Sequence, residues 1–378
     1  MKYYIIAGEA SGDLHASHLM RGLKACDPAC RFRFWGGDAM AAVGGAPVRH
    51  YRDTAVIGVM EVASRLPRIL GNLSFCKKDL LAWNPDAVIL VDYPGFNLKI
   101  ARFARSRGFK VLYYIAPKVW AHKAFRVKRI ARDVDALYCI FPFELDWFRR
   151  HGIEPRYFGN PLMDSLDLPA SLSADDVPEA PSRQPRSIAL LPGSRVQELR
   201  FLMPRMVALE RLVKASPALK DCRLRLAVAP SMKREDFQGL LPEDSSIELV
   251  FGRTAQVLRE AGAAVISSGT ASLEAALLGT PQVVCYGFNA LTWQIARRTV
   301  KVPFISLANL TLGRKIFPEL LQDDASPEAI FREVERILQD GHTAARMRAD
   351  YALLRTALGG PGASERIAKD MYEEIARI

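Results

Sequence analysis

Between Asp86 and Asp92 lie five residues, Ala87-Val-Ile-Leu-Val91, none with a polar side chain. A run so short and so continuously apolar predicts a strand buried on both faces, which requires a parallel sheet covered by helices on both sides. Tyr3–Ala7, Arg31–Trp35, Val111–Ile115 and Ala136–Ile140 read as further strands, separated by helical stretches such as Leu14–Ala25. From Asp167 to Pro185 the pattern collapses into Ser, Ala and Asp punctuated by Pro169, Pro178, Pro181 and Pro185, the signature of a linker. The alternation then restarts with Ser187–Leu191, Leu224–Ala229, Ser246–Val250, Ala263–Ser267 and Gln282–Tyr286. A helical tail follows Pro327, interrupted at Gly359-Gly-Pro-Gly362. Strands alternating with helices imply βαβ units. The expected class is α/β: two doubly wound domains, residues 1–166 and 186–345, joined by linker 167–185, with a tail over 346–378. Two such units facing each other put a cleft at the carboxyl ends of their strands, where ligands of these sheets bind.

Charge narrows the partners. The 378 residues carry 52 Lys and Arg against 41 Asp and Glu, a formal net charge of +11. Between Lys99 and Arg156 the count is 14 against 5, so most of the excess sits in the first unit. An anionic partner follows: a phosphorylated substrate, a membrane surface or a nucleic acid, although no RNA- or DNA-binding signature accompanies the charge. Val59, Val62, Leu66, Ile69 and Leu70 recur at helical spacing with Arg65 and Arg68 between them, which fits docking on an anionic bilayer or a core helix beside a solvated surface. Six scattered cysteines without a C-x-x-C pair predict reduced, cytosolic thiols. Met1-Lys2 runs straight into the first strand with no room for a signal-peptide core. Ala275–Ala296 has no charged residue, but Gly279, Pro281 and Gln282 interrupt it, so no membrane span is expected.

The candidate residues follow the strands. Gly8-Glu-Ala-Ser-Gly-Asp13 opens the first helix with glycines for a tight turn and free N–H groups for an anion, or is a plain βα turn with Asp13 near the helix start. It lacks the dinucleotide and Walker fingerprints, which disfavours nicotinamide and ATP. Asp92-Tyr-Pro-Gly-Phe-Asn97 puts an acid at the mouth of the buried strand, as a general base or a helix cap. Pro117-Lys-Val-Trp-Ala-His122 groups a cation, an aromatic and an imidazole. Leu191-Pro-Gly-Ser-Arg195 brings backbone donors and a guanidinium to one spot, suited to a pyrophosphate, or forms a surface turn. In Ser267-Ser-Gly-Thr-Ala-Ser-Leu-Glu274, a strand runs into small residues at a helix start, and Glu274 one turn later can accept two ribose hydroxyls or stay solvated. Asp133-Val-Asp135 precedes a strand instead of ending one and reads as a solvated loop; His15 and His18 have no third ligand, so no metal is expected.

Taken in order, Gly8–Asp13, Val56-Ile-Gly-Val-Met-Glu-Val62, Asp92–Asn97, Val119-Trp-Ala121, Pro142-Phe-Glu144, Gly159-Asn-Pro-Leu162, Leu191–Arg195, Ser268–Glu274 and Leu307-Ala-Asn-Leu310 closely resemble the lipid-A-disaccharide synthases. The likeness spans nearly the whole chain outside the linker. It implies an inverting, metal- and cofactor-independent glycosyltransferase of the GT-B type, with two facing Rossmann-like domains. The implied reaction joins UDP-2,3-diacylglucosamine to the 6-hydroxyl of 2,3-diacylglucosamine 1-phosphate through a β-1,6 bond and releases UDP. On this resemblance Asp92 is the base and Arg195 stabilises the leaving diphosphate. Ser194, Ser268, Gly269, Thr270, Glu274 and Asn309 bind nucleotide or sugar, while Glu9, Ser11, Gly12, Asn97 and His122 belong to a substrate loop. The implied place is cytoplasmic, peripheral on the inner membrane through the Val59–Leu70 patch, without nucleic acid; the tail either folds back on the first domain or pairs a homodimer. Two departures stand out: Gly95 occupies the position of a second acid found in some members, and His122 that of a common tryptophan. Rival readings are a UDP-sugar 2-epimerase, a glycosyltransferase with a soluble acceptor, or a non-catalytic basic membrane- or RNA-binding protein.

Overall fold

The computed structural model describes residues 1–54, 66–121, 124–166, 187–230, 232–287 and 302–377. They fall into two compact units, Met1–Asp167 with Leu358–Ile378, and Leu168–Ala357. The boundary expected at 346 therefore lies instead near Leu358, at the end of the helix Gly341–Leu358.

The first unit is built on seven strands: β1 Lys2–Ala7, β2 Arg31–Gly36, β3 Arg49–His50, β4 Ala87–Val91, β5 Lys110–Tyr114, β6 Ala136–Cys139 and β7 Arg156–Tyr157. They pair in parallel in the order β3-β2-β1-β4-β5-β6-β7. All five residues of β4 are buried, as a strand covered on both sides requires. Alternate residues divide the core into two layers. Tyr4, Ile6, Val88, Leu90 and Tyr113 face helices Leu66–Trp83, Pro94–Ser106 and Val127–Asp133, whereas Tyr3, Ile5, Ile89, Val91 and Tyr114 face helix Ala10–Cys26 and the tail. Emptying such a fully buried site, for example Ile89→Ala, costs about 2–5 kcal/mol.

The tail helix Ala363–Ala376 folds back on the first unit of its own chain, one of the two expected alternatives. It lies so close to helix Ala10–Cys26 that a Cβ on Gly22 would come within 2.7 Å of Ala368. Asp164 caps it, accepting hydrogen bonds from the backbone N–H of Gly362 (2.6 Å), Ala363 (3.2 Å) and Ser364 (2.8 Å). Arg156 holds Asp370 and Glu374, each at 2.6 Å.

The second unit has six parallel strands: β8 Ser187–Leu191, β9 Arg223–Val228, β10 Glu248–Phe251, β11 Ala261–Ser267, β12 Gln282–Tyr286 and β13 Glu319–Leu321. Their order is β10-β9-β8-β11-β12-β13. Strands β3, β7 and β13, two or three residues each, are too short to leave a periodic signal and were not expected. The Asp133–Asp135 pair is also not a solvated loop. Asp133 is buried against the Arg132 guanidinium at 2.7 Å, and Asp135 accepts the Val111 N–H (2.8 Å) and pairs with Arg105.

Candidate active site

The strand orders decide where ligands can bind. Each sheet reverses its winding once, between β1 and β4 in the first unit and between β8 and β11 in the second. At such a reversal the two outgoing chains turn to opposite faces and leave a crevice beyond the strand ends. The motifs after β1, β4, β8 and β11 therefore sit at the two switch points.

In the first unit, the backbone at the end of β4 turns through two consecutive non-glycine residues in the left-handed region, Asp92 (φ 43) and Tyr93 (φ 49). Each costs about 1–2 kcal/mol and persists only because its surroundings hold it. The Asp92 carbonyl accepts hydrogen bonds from Asn97 Nδ2 (2.8 Å) and the Tyr113 hydroxyl (2.6 Å), while its N–H donates to Tyr114 O (3.0 Å). Tyr93 then lays its ring against Gly8, where a Cβ would stand 2.4 Å from it, so only glycine fits. Burial raises the Asp92 carboxyl to about 6; Glu9 adds to the shift, and Lys118 and the Tyr93 backbone oppose it. The result is a carboxyl that changes charge close to neutral pH.

Of the other expected substrate-loop residues, Glu9 and Ser11 are exposed at the uncapped start of helix Ala10–Cys26, and Gly12 is buried beneath them. Asn97 departs from the expectation: it is wholly buried and supports the backbone of Asp92. Asp13 likewise turns away from its own helix start and binds the N–H groups of Gly37 (2.7 Å), Ala39 and Met40 (3.1 Å each). His122, Val59 and Val62 lie outside the described residues, as does the side chain of Leu66. On helix Leu66–Trp83, Ile69 packs on the core and so leaves the expected apolar patch, whereas Leu70 is 53% exposed and Phe75 and Leu81 join it at the surface.

In the second unit, Gly193 (φ +106) turns the chain after β8, and the carboxylate of Glu198 closes over the turn. Glu198 Oε2 accepts the N–H groups of Ser194 (2.9 Å) and Arg195 (3.2 Å), the donors expected to bind a pyrophosphate. What this loop offers an anion is the Arg195 side chain, 61% exposed and 3.7 Å from Glu198. After β11, Gly269 leads into helix Thr270–Leu277 with no side-chain cap, and Gly269 and Thr270 are exposed. Gly269 and Thr270 thus stand at the surface of an uncapped helix start, the setting an anion site requires, while the N–H of the buried Ser272 already donates to Gly269 O (3.3 Å). Ser268 Oγ leans toward Ile305 O at 3.5 Å. The Glu274 carboxylate is half-buried without a hydrogen-bond partner among the described residues, and burial alone raises its pKa. Asn309 is not available to a sugar. It is fully buried, donating to Glu319 Oε1 (2.8 Å) and Phe317 O (3.3 Å) and accepting from Ile316 N (2.8 Å).

Sequence reasoning assigned no role to Glu198 or Tyr93; the signals were an acid three residues into a helix and an aromatic beside a strand-end acid. No group of three or more His, Cys, Asp or Glu placed to hold a metal occurs among the described residues. Nor is any described helix long and apolar enough to cross a membrane.

Comparison with known proteins bears on the family and the fold. A family model described as lipid-A-disaccharide synthetase matches residues 3–371. A lipid-A-disaccharide synthase of Myxococcus xanthus is 39% identical, covering 98% of this chain and 96% of its own. That of Geobacter sulfurreducens is 36% identical over 99% and 97%. Among solved structures, a Methanocaldococcus jannaschii UDP-GlcNAc 2-epimerase in complex with UDP-GlcNAc and UDP superposes with a TM-score of 0.63 at 14% identity, covering 99% of this chain and 100% of that one. The kitacinnamycin glycotransferase gives 0.59 at 17%, covering 99% and 98%. At such identities these structures speak to the fold alone, a GT-B arrangement of two parallel-sheet α/β domains. The sequence relatives say more, and with a match running almost end to end the chain belongs to the lipid-A-disaccharide synthase family of glycosyltransferases.

Proposed function

We propose that the protein transfers 2,3-diacylglucosamine from UDP-2,3-diacylglucosamine to the 6-hydroxyl of 2,3-diacylglucosamine 1-phosphate. The acceptor oxygen attacks the anomeric carbon from the face opposite UDP, forming the β-1,6 bond as the bond to the diphosphate oxygen breaks. Asp92 takes the hydroxyl proton, and UDP leaves with the bonding electrons. The observation that carries the reading is the Asp92 carboxyl itself, half-buried on a reversed backbone at a switch point and tuned to about 6. A general base works best with a pKa near the working pH.

On the donor side, the exposed Arg195 guanidinium and the open helix start at Ser268–Thr270 would neutralise the departing diphosphate. The Glu274 carboxylate, without a partner among the described residues, suits paired ribose hydroxyls. Ser194 holds the turn, its N–H on Glu198. The acylated substrates fit a peripheral contact with anionic lipid: Leu70, Phe75 and Leu81 are exposed on a helix whose exposed charges, among them Arg68 and Lys78, are basic.

The test incubates purified protein with both acylated sugars and follows UDP and disaccharide. Turnover of unacylated UDP-N-acetylglucosamine alone would point to the epimerase or soluble-acceptor reading. Asp92→Asn keeps substrate binding and lowers kcat at least about a hundredfold. Unchanged turnover removes Asp92 from the mechanism.

A further inference from the structure

Glu144 takes no part in that chemistry, yet it is a carboxyl only 1% exposed. It lies in the first turn of helix Pro142–Arg149, directly after β6. Its Oε2 accepts the backbone N–H groups of Ile140 and Phe141, both at 3.1 Å, which suffices to close that turn. The second oxygen does something a helix start does not need. Oε1 accepts the indole N–H of Trp120 at 2.9 Å, in the neighbouring loop after β5. Phe143 meets the same indole edge-on, with centroids 4.9 Å apart.

Strands β4, β5 and β6 are successive parallel neighbours, so the turns leaving them lie side by side. Asp92 stands on the first, Lys118 and Trp120 on the second and Glu144 on the third. Lys118 is exposed and forms no salt bridge with either carboxyl, but its charge acts on both. Its backbone is tightly fixed: Val119 N donates to Pro117 O (2.6 Å), Ala121 N donates to Lys118 O (3.2 Å), and Val119 is buried. Among the described residues, the tether to Glu144 is the one side-chain hydrogen bond this short loop makes.

We propose that Glu144 is a positioning residue that acts through Trp120, holding the 117–121 loop so that the Lys118 ammonium stays within electrostatic reach of Asp92. This rests on the reading of Asp92 as the base. The groups that face Asp92 are Glu9 from the turn after β1, Tyr93 from its own turn, Tyr113 from β5 and Lys118. Those facing Glu144 are Lys118, Cys139 and Tyr157. Among the described residues, Lys118 is thus the cation common to both sets. Its attraction favours the ionised form of Asp92, and loosening the loop weakens that attraction.

The experiment is a double-mutant cycle on the pH dependence of kcat/KM in the full-length protein. Trp120→Phe keeps a ring but removes the indole donor, and Lys118→Met removes the cation directly. Each is expected to move the acid limb upward by about 0.5–1 unit, a loss of about twofold to fivefold near pH 6 that recovers to within about twofold at pH 8. Because both act through one charge, the double variant should move the limb no further than Lys118→Met alone. An unmoved limb in Trp120→Phe, a loss equal at pH 6 and pH 8, or additive shifts would overturn the proposal. Should Trp120→Phe not fold, Glu144→Gln replaces it: one carbonyl oxygen cannot serve both the two amides and the indole, and the same shift is required. Asp92→Asn, measured alongside, separates the failures. Undiminished turnover there removes the base, whereas an inactive Asp92→Asn beside an unmoved Trp120→Phe limb removes only Glu144.

Discussion

The residue assigned as base should also be a site of instability, and replacing it should make the protein more robust. Burial lifts the Asp92 carboxyl from its ordinary value near 3.8 to about 6. The native state therefore holds this proton more tightly than the unfolded chain does. Below about pH 4 both states are protonated and nothing is lost; as pH rises through 4 to 6 the native carboxyl is forced to ionise in a poorly solvated place, and stability falls. Two units correspond to roughly 3 kcal/mol at 1.36 kcal/mol each. Partial exposure of the side chain brings the expectation to about 1–3 kcal/mol. Asparagine is nearly isosteric, carries no charge and tolerates the left-handed backbone that residue 92 adopts. Asp92→Asn should accordingly raise the melting temperature at pH 8 by about 5 °C, at 2–4 °C per kcal/mol for a unit of this size. The gain should shrink through pH 6 and vanish near pH 4. Thermal melts of both proteins from pH 4 to 8 read this directly. No gain at pH 8, or one that persists undiminished at pH 4, would refute the argument that a desolvated charge is held there for function.

The remaining expectations are simpler. Arg195→Ala should leave stability unchanged, because the guanidinium is exposed and its nearest carboxylate is 3.7 Å away, but should lower kcat/KM by about 10²–10³; loss of folding instead of turnover would assign it a structural task. Asn309→Ala should do the reverse, destabilising by about 2–4 kcal/mol in urea unfolding with little change in KM of the folded fraction. Activity should persist in EDTA if Arg195 and the helix start after β11 carry the charge stabilisation assigned to them; a chelator-dead enzyme rescued by magnesium would contradict that assignment.

How far the sequence could be read follows from the range of the interactions involved. Strand-forming runs are local, so β4 and its nine longer companions were visible within a residue or two, and with them the loops at the strand ends. What those loops do depends on residues elsewhere. Asn97 and Asn309 both sit in motifs beside candidate ligand residues, yet each is buried by partners that composition cannot reveal: the reversed carbonyl of Asp92 in one case, Glu319 ten residues on in the other. Ile69 and Leu70 are adjacent and equally apolar, and only the helix's docking turns one inward and the other out. Glu198 shows the same limit from the opposite side, since the amides of Ser194 and Arg195 looked free for an anion until a neighbouring carboxylate was seen to fill them. The strain at Asp92 and Tyr93 joins the two levels. A left-handed pair is invisible in residue names, but it is what lifts the carboxyl off the end of a fully buried strand, and three side chains and backbone groups from β5 and the following helix hold it there. An acid after a buried strand is therefore only a candidate; the reversed backbone, and the surroundings that sustain it, are what set Asp92 apart from an ordinary helix cap.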